Sequence, residues 1–163
     1  MSIRSPAFPK ISSDLLRGRS KSVENSDDST AMPFLLDTDT CIYALKHEAK
    51  VIEQLLSRSR EEIIVSVISE AELRTGAAKS SSPIKTLRLV ENFLRPLTVA
   101  EFTSDDAVAY AHLRAKLERA GTPIGPLDTL IASQAVARKL TLVSNNVREF
   151  NRVSGLHVEN WRR

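Results

Sequence analysis

From residue 32 onward the chain alternates short apolar runs with longer amphipathic stretches. Phe34–Leu36 (FLL) is too short for a helix and reads as a buried strand. The pattern turns helical over Thr40–Lys46 and Lys50–Ser59. Glu62–Val67 (EIIVSV) is mostly apolar and β-branched, which favours a second strand. Ser69–Ala78 reads as a helix weakened near its end by Gly76. In SSPIKTLRLVENFL, Ser and Pro stand where helices begin. Leu97–Phe102 (LTVAEF) makes a third strand. Ser104–Ala120 predicts a long helix with Ala107, Tyr110, Leu113 and Leu117 on one face, capped by Ser104 and ended by Gly121. GTPIGP forms a rigid loop. Leu127–Lys139 follows as a helix with Leu127, Leu130, Ile131 and Ala135 inward. Leu140–Ser144 (LTLVS) is a fourth strand, Asn146–Phe150 a short helix, and Leu156–Trp161 (LHVENW) a fifth strand.

Strands separated by helices imply parallel pairing with crossover connections. The expected class is therefore α/β: a three-layer α/β/α sandwich around a short, mostly parallel central sheet. Residues 1–31 do not share the pattern. They are rich in Ser, Pro and charge, with five basic residues (Arg4, Lys10, Arg17, Arg19, Lys21) against four acids (Asp14, Glu24, Asp27, Asp28). Such a stretch buries too little apolar area to offset its ordering entropy. It is read as a disordered leader, or as upstream sequence if translation starts at Met32. Residues 32–163 are then one domain.

Composition narrows the picture modestly. Of the 163 residues 42% are hydrophobic and 26% charged, ordinary for a globular chain. No apolar run approaches the roughly 20 residues of a membrane helix, and the N-terminus lacks a signal-peptide apolar core. A single cysteine, Cys41, excludes an internal disulfide and a cysteine zinc cluster, and suggests a reducing compartment. It is read as a small buried apolar residue. The net charge of +3 and pI near 9.2 are compatible with an anionic partner without demanding one.

Chemistry is sought outside the carboxyl ends of parallel strands. Asp37 ends the first strand within FLLDTDTC. Ser66, Ser69, Glu70 and Glu72 follow the second. Ser144, Asn145, Asn146 and Glu149 follow the fourth. Asp128 lies in the first turn after the Gly-Pro loop. Three or four acids there would make an oxygen-lined cavity suited to Mg²⁺ or Mn²⁺. His47, His112 and His157 fall elsewhere, which removes support for a histidine-rich zinc site. Glu70 and Glu72 stand about 200° apart on a helix, so at most one faces the cavity. Each acid also has a plain structural role: Asp37 as a turn residue, Asp128 as a helix-start acid favoured by the macrodipole, Asn146 and Glu149 as cap and surface residues. Arg58, Arg60 and Arg148 are candidate RNA contacts, or solvated surface charges.

FLLDTDTCIYAL, SEAELRTGA, GTPIGPLDTLIASQA, and LVSNNVREF followed by GLHVENW together resemble the PIN-domain toxins of the VapC type, almost continuously over residues 32–163. The resemblance implies a PIN-like sandwich and a Mg²⁺- or Mn²⁺-dependent endoribonuclease. It implies the toxin half of a bacterial type II toxin–antitoxin pair, acting in the cytoplasm and usually as a homodimer. The antitoxin of such pairs usually inserts a segment, often with an Arg, into the acidic site. The GTPxGPxD branch points to tRNA, with the initiator tRNA anticodon loop as target. Carried over by motif, Asp37, Glu72 and Asp128 are the catalytic acids. Asp37 and Asp128 would hold the metal, with Glu72 binding it through water or orienting the attacking water. Ser144, Asn145, Asn146, Glu149 and Asp39 would support them. Many PIN nucleases have a fourth acid where this chain reads SNNVREF, and Asp39 replaces a common Asn.

Two other readings stay open at this stage. A haloacid-dehalogenase-like phosphatase would use Asp37 as nucleophile, but its Asp-x-Asp-x-Thr/Val motif fails at Cys41, and a later Lys and paired acid are missing. A non-catalytic PIN-like module that only binds RNA or protein would not need the acid set Asp37, Glu72 and Asp128.

Overall fold

The computed structural model describes residues 32–163, so the leader expected at residues 1–31 lies outside the described residues. Five strands form one sheet: β1 (Phe34–Leu36), β2 (Ile63–Ser66), β3 (Thr98–Ala100), β4 (Thr141–Val143) and β5 (His157–Glu159). Their order is β3-β2-β1-β4-β5, and all four pairings are parallel. Phe34 stands beside Ile63 on one side and Thr141 on the other. The chain steps outward from β1 to β2 to β3, then returns to the far side of β1 as β4. That reversal opens a crevice at the carboxyl ends of β1 and β4, where open parallel sheets place their sites.

Strand alternation builds the two outer layers. Leu36, Ile63, Val65 and Val143 point to one face, against Cys41, Ala44, Val51, Leu73, Ala77, Val90, Phe93 and Leu94. These come from α1 (Thr38–Leu45), α2 (Ala49–Leu56), α3 (Val67–Ala78) and α4 (Pro83–Leu94). Leu35 and Leu142 point to the other face, against Leu117, Ile131, Ala132, Ala135, Phe150 and Val153. Here the cover is α5 (Ser104–Arg119), α6 (Pro126–Ala137) and the short α7 (Val147–Phe150). The three-layer α/β/α sandwich is thus observed, and each buried Leu contributes roughly 1.5–3 kcal/mol.

Several local expectations change. The first helix starts at Thr38 because the Asp37 side chain caps it. The second ends at Leu56, and a 3₁₀ turn over Arg60–Glu62 leads into β2. Thr103, not Ser104, caps α5, in a capping box with Asp106. Ala107 is exposed on α5, and Leu127 is 44% exposed on the first turn of α6, so neither belongs to the core. Gly121, at φ +67°, ends α5 in the left-handed region that suits glycine.

Polar ties fix α6, which carries Asp128. Gln134 Nε2 donates to Glu101 O at 2.9 Å. Arg138 donates to the same oxygen and to both oxygens of Asp106, at 3.1 and 2.6 Å. Asp106 is only 1% exposed. Burial opposes its charge, but the Arg138 and Thr103 hydrogen bonds outweigh that and hold its carboxyl below the usual value. No helix among the described residues is long and apolar enough to cross a membrane.

Candidate active site

Asp37 follows β1, and its N–H donates to Val143 O at 2.9 Å, extending the β1–β4 pairing by one bond. Its side chain is held from two sides. Thr38 N–H donates to Oδ1 and Ser144 Oγ donates to Oδ2, both at 2.7 Å. Asp37 is 5% exposed. Burial pushes its pKa up, the Asp39 charge adds to this, and the two hydrogen bonds only partly compensate. With a further push from Asp128, it reaches about 7. A buried carboxylate with acidic neighbours is the environment in which a cation becomes favourable.

Ser144 is fully buried after β4, with its N–H on Glu159 O at 3.0 Å. Its hydroxyl oxygen also accepts from Asn146 N–H at 3.0 Å. Asp39 is half-buried on α1, where Oδ2 accepts Asn145 N–H at 3.0 Å. Burial raises its pKa against those hydrogen bonds. The two asparagines therefore contribute backbone N–H groups that fold the Ser144–Asn146 turn around Asp37 and Asp39. The Asn145 side chain, by contrast, accepts from Asn160 Nδ2 at 3.2 Å.

Glu72 comes from α3 and accepts a hydrogen bond from the Thr38 hydroxyl. Glu70 pairs with Arg74 at 2.8 Å, and Arg74 also reaches Glu91 on α4 at 3.5 Å. So α3 presents Glu72 toward Asp37 and sends Glu70 toward α4. Asp128 enters from α6, with its Oδ2 3.5 Å from where a Cβ on Gly125 would lie. Its pKa is raised by burial and then by the charges of Glu149, Glu72 and Asp39. The structure thus brings Asp37, Asp39, Glu72, Asp128 and Glu149 into one electrostatic neighbourhood.

Among the described residues no three His, Cys, Asp or Glu side chains close into a ready-made metal cage. The donor set still fits Mg²⁺, which takes one or two carboxylates and keeps several waters. Asp37, held by Thr38 and Ser144, is the most firmly anchored of these acids.

Three residues weighed in the sequence lie away from this chemistry. The Arg58 guanidinium is stacked 4.5 Å from the rings of both Phe34 and Trp161 and donates to Gln54 O at 2.9 Å, so it is a packing element and not a free RNA contact. The buried Cys41 thiol is held well above its usual pKa by burial, with the Asp37 and Asp39 charges adding, which leaves it unreactive. His157 lines a separate cleft of about 380 Å³ with Met32, Phe34, Thr141, Val158 and Glu159. Sequence reasoning missed Thr38. Its only signal is its place between the capping Asp37 and Asp39.

Residues 34–156 match the family model described as PIN domain. Over 130 residues the chain is 38% identical to the tRNA(fMet)-specific endonuclease VapC of Salmonella typhimurium, covering 80% of this chain and 98% of that protein. It is 39% identical over 132 residues to the ribonuclease VapC2 of Rickettsia felis, with the same coverage. The crystal structure of DNA-bound VapBC from Salmonella typhimurium superposes with a TM-score of 0.76 at 38% identity, covering 80% of this chain and 99% of that one.

Proposed function

The chain belongs to the PIN-domain family, in its VapC group, and from that premise we propose that it is a metal-dependent endoribonuclease that cuts tRNA as the toxin half of a toxin–antitoxin pair. The observation that carries the reading is Asp37. Its carboxyl is buried at the β1–β4 crevice, crowded by Asp39 and Asp128, and held near neutral pKa. Its relatives' names, an endonuclease specific for tRNA(fMet) and a ribonuclease, support RNA as substrate and initiator tRNA as the first to try. Neighbours solved as VapBC complexes support an antitoxin partner. Membership of this family sets aside the phosphatase reading of Asp37.

In this reading Asp37 and Asp128 would hold Mg²⁺ or Mn²⁺ directly, and Glu72 would bind the ion through the water that it orients for attack. A bound ion would supply positive charge that offsets the phosphate and would make a neighbouring water easier to ionise. Ser144 and Thr38 keep the Asp37 oxygens from rotating. Glu72 would steer the water in line with the scissile phosphodiester: the water oxygen bonds to phosphorus as the P–O bond to the leaving ribose oxygen breaks, and the proton the water gives up is balanced by one that solvent delivers to that oxygen. Asp39 holds the Ser144–Asn146 turn in place, and Glu149 adds to the negative field around Asp128. Homodimerisation and residues 32–163 as one domain complete the proposal.

The test uses the full chain, total tRNA and Mg²⁺, against Asp37→Asn. Cleavage by the natural chain alone is expected. Equal cleavage by both proteins defeats the metal-nuclease reading.

A further inference from the structure

We propose that Thr38 is a positioning residue that locks the Glu72 carboxylate beside Asp37; this rests on the reading of those acids as the nuclease site. Thr38 is the first residue of α1, immediately after the capping Asp37. Its two donors go to two different acids. The backbone N–H donates to Asp37 Oδ1 at 2.7 Å, and the hydroxyl donates to Glu72 Oε2 across 34 positions of sequence.

The geometry makes this more than an incidental contact. The Thr38 N–H is fixed by the helix start, and the β-branched side chain restricts where Oγ1 can point. Glu72 is a half-buried residue of α3, with a long side chain that has several rotamers to lose. Asp37 is immobilised by Thr38 and Ser144, so a rigid unit on one side meets a flexible acid on the other. One hydroxyl joins them, and it also ties the start of α1 to α3. Without it, nothing would hold Glu72 against repulsion from Asp128, and its carboxylate would swing outward toward water.

The test compares the full natural chain with Thr38→Val, which keeps the shape and removes the donor, and Thr38→Ser, which keeps the donor. Each is made alone and combined with Glu72→Gln. Mn²⁺ affinity is measured by calorimetry, and kcat and KM for tRNA cleavage are measured across Mg²⁺ concentrations. Loss of a side chain that orients a metal ligand costs about 10–100-fold. Thr38→Val is therefore expected to weaken Mn²⁺ binding and lower kcat within that range, with KM for tRNA little changed. Thr38→Ser should restore most of both. In the Glu72→Gln background Thr38→Val should add almost nothing. Should Thr38→Val fail to fold, Thr38→Ala is read in the same way.

Natural Mn²⁺ affinity in Thr38→Val overturns the proposal. So does an equal loss in Thr38→Ser, or an undiminished loss in the Glu72→Gln background. A natural chain that binds Mn²⁺ but cuts no RNA overturns the nuclease reading alone, because the Mn²⁺ titrations still decide the role of Thr38. A natural chain that binds no Mn²⁺ overturns both.

Discussion

Replacing Asp37 with Asn should abolish activity and stabilise the metal-free protein. The Asp37 carboxyl has a pKa of about 7 in the folded chain against an ordinary 3.8. In the unfolded chain it ionises freely above pH 4. The folded state therefore binds more protons between about pH 4 and 7, and stability falls as pH rises through that window. At 1.36 kcal/mol per pH unit, a difference of about 3 units corresponds to roughly 4 kcal/mol of lost stability at pH 8. Asn carries no charge and fits the same partners. Its Oδ1 accepts from Thr38 N–H, and its Nδ2 donates to Ser144 Oγ, whose hydrogen turns to Asp39 Oδ2, 3.5 Å away. Allowing for an imperfect exchange, Asp37→Asn should gain about 2–4 kcal/mol at pH 8 in EDTA. For a chain of this size that raises Tm by roughly 5–12 °C. The assay is urea unfolding of both proteins in EDTA from pH 5 to 8. The gap should shrink as pH falls, since other titrating groups largely cancel in the difference. Adding Mg²⁺ should raise the natural chain's Tm more than the variant's. A variant less stable at pH 8, or a gap independent of pH, would show that burial does not raise the Asp37 pKa.

Glu72→Gln should lower cleavage roughly 100-fold, the scale of a group that orients or deprotonates the water, whereas Glu70→Gln should stay within about twofold because Glu70 faces Arg74; equal losses in the tRNA assay would contradict the assignment on α3. Arg138→Met leaves Asp106 buried and unpaired, and should cost about 3 kcal/mol by urea unfolding at pH 7. Because the Asp106 pKa is lowered, the natural pair stabilises above the ordinary carboxylate range and loses that contribution as pH falls through the lowered value. The Arg138→Met deficit should therefore narrow in acid, and a deficit that widens there would contradict it. Trp161→Ala removes a ring 5% exposed, in edge contact with Phe34 at 5.4 Å and stacked by Arg58, and should cost roughly 3–5 kcal/mol; an unchanged urea midpoint would contradict that packing.

The centre of the sheet was legible because β1, β2 and β4 lie in apolar runs bounded by polar residues, and the acids stood at the strand ends where an α/β site belongs. What the sequence hid depends on contacts far along the chain. Arg58 reads as a surface cation until β1 and the segment after β5 bring Phe34 and Trp161 around it. Leu127 fits an inward helical face, yet α6 begins beyond the edge of the core, so its first turn is exposed while Thr129–Ala135 is largely buried. Thr103 and Ser104 are equally good caps on paper, and the buried Asp106 selects Thr103 because its carboxylate accepts both the Thr103 N–H and the Thr103 hydroxyl. Asp37 and Asp39 look equivalent in FLLDTDTC. Pairing with β4 separates them, placing Asp37 against Val143 and Ser144 and leaving Asp39 to hold the Asn145 N–H.

Metal-dependent RNA hydrolysis at this site would draw on acids from the end of β1, from α3 and from α6. Its most direct test is end-mapped cleavage of purified initiator tRNA by the full chain and by Asp128→Asn, each with Mn²⁺ and with EDTA. Defined cuts are expected only from the natural chain with Mn²⁺. Cuts of the same position and rate by Asp128→Asn, or by the natural chain in EDTA, would contradict it.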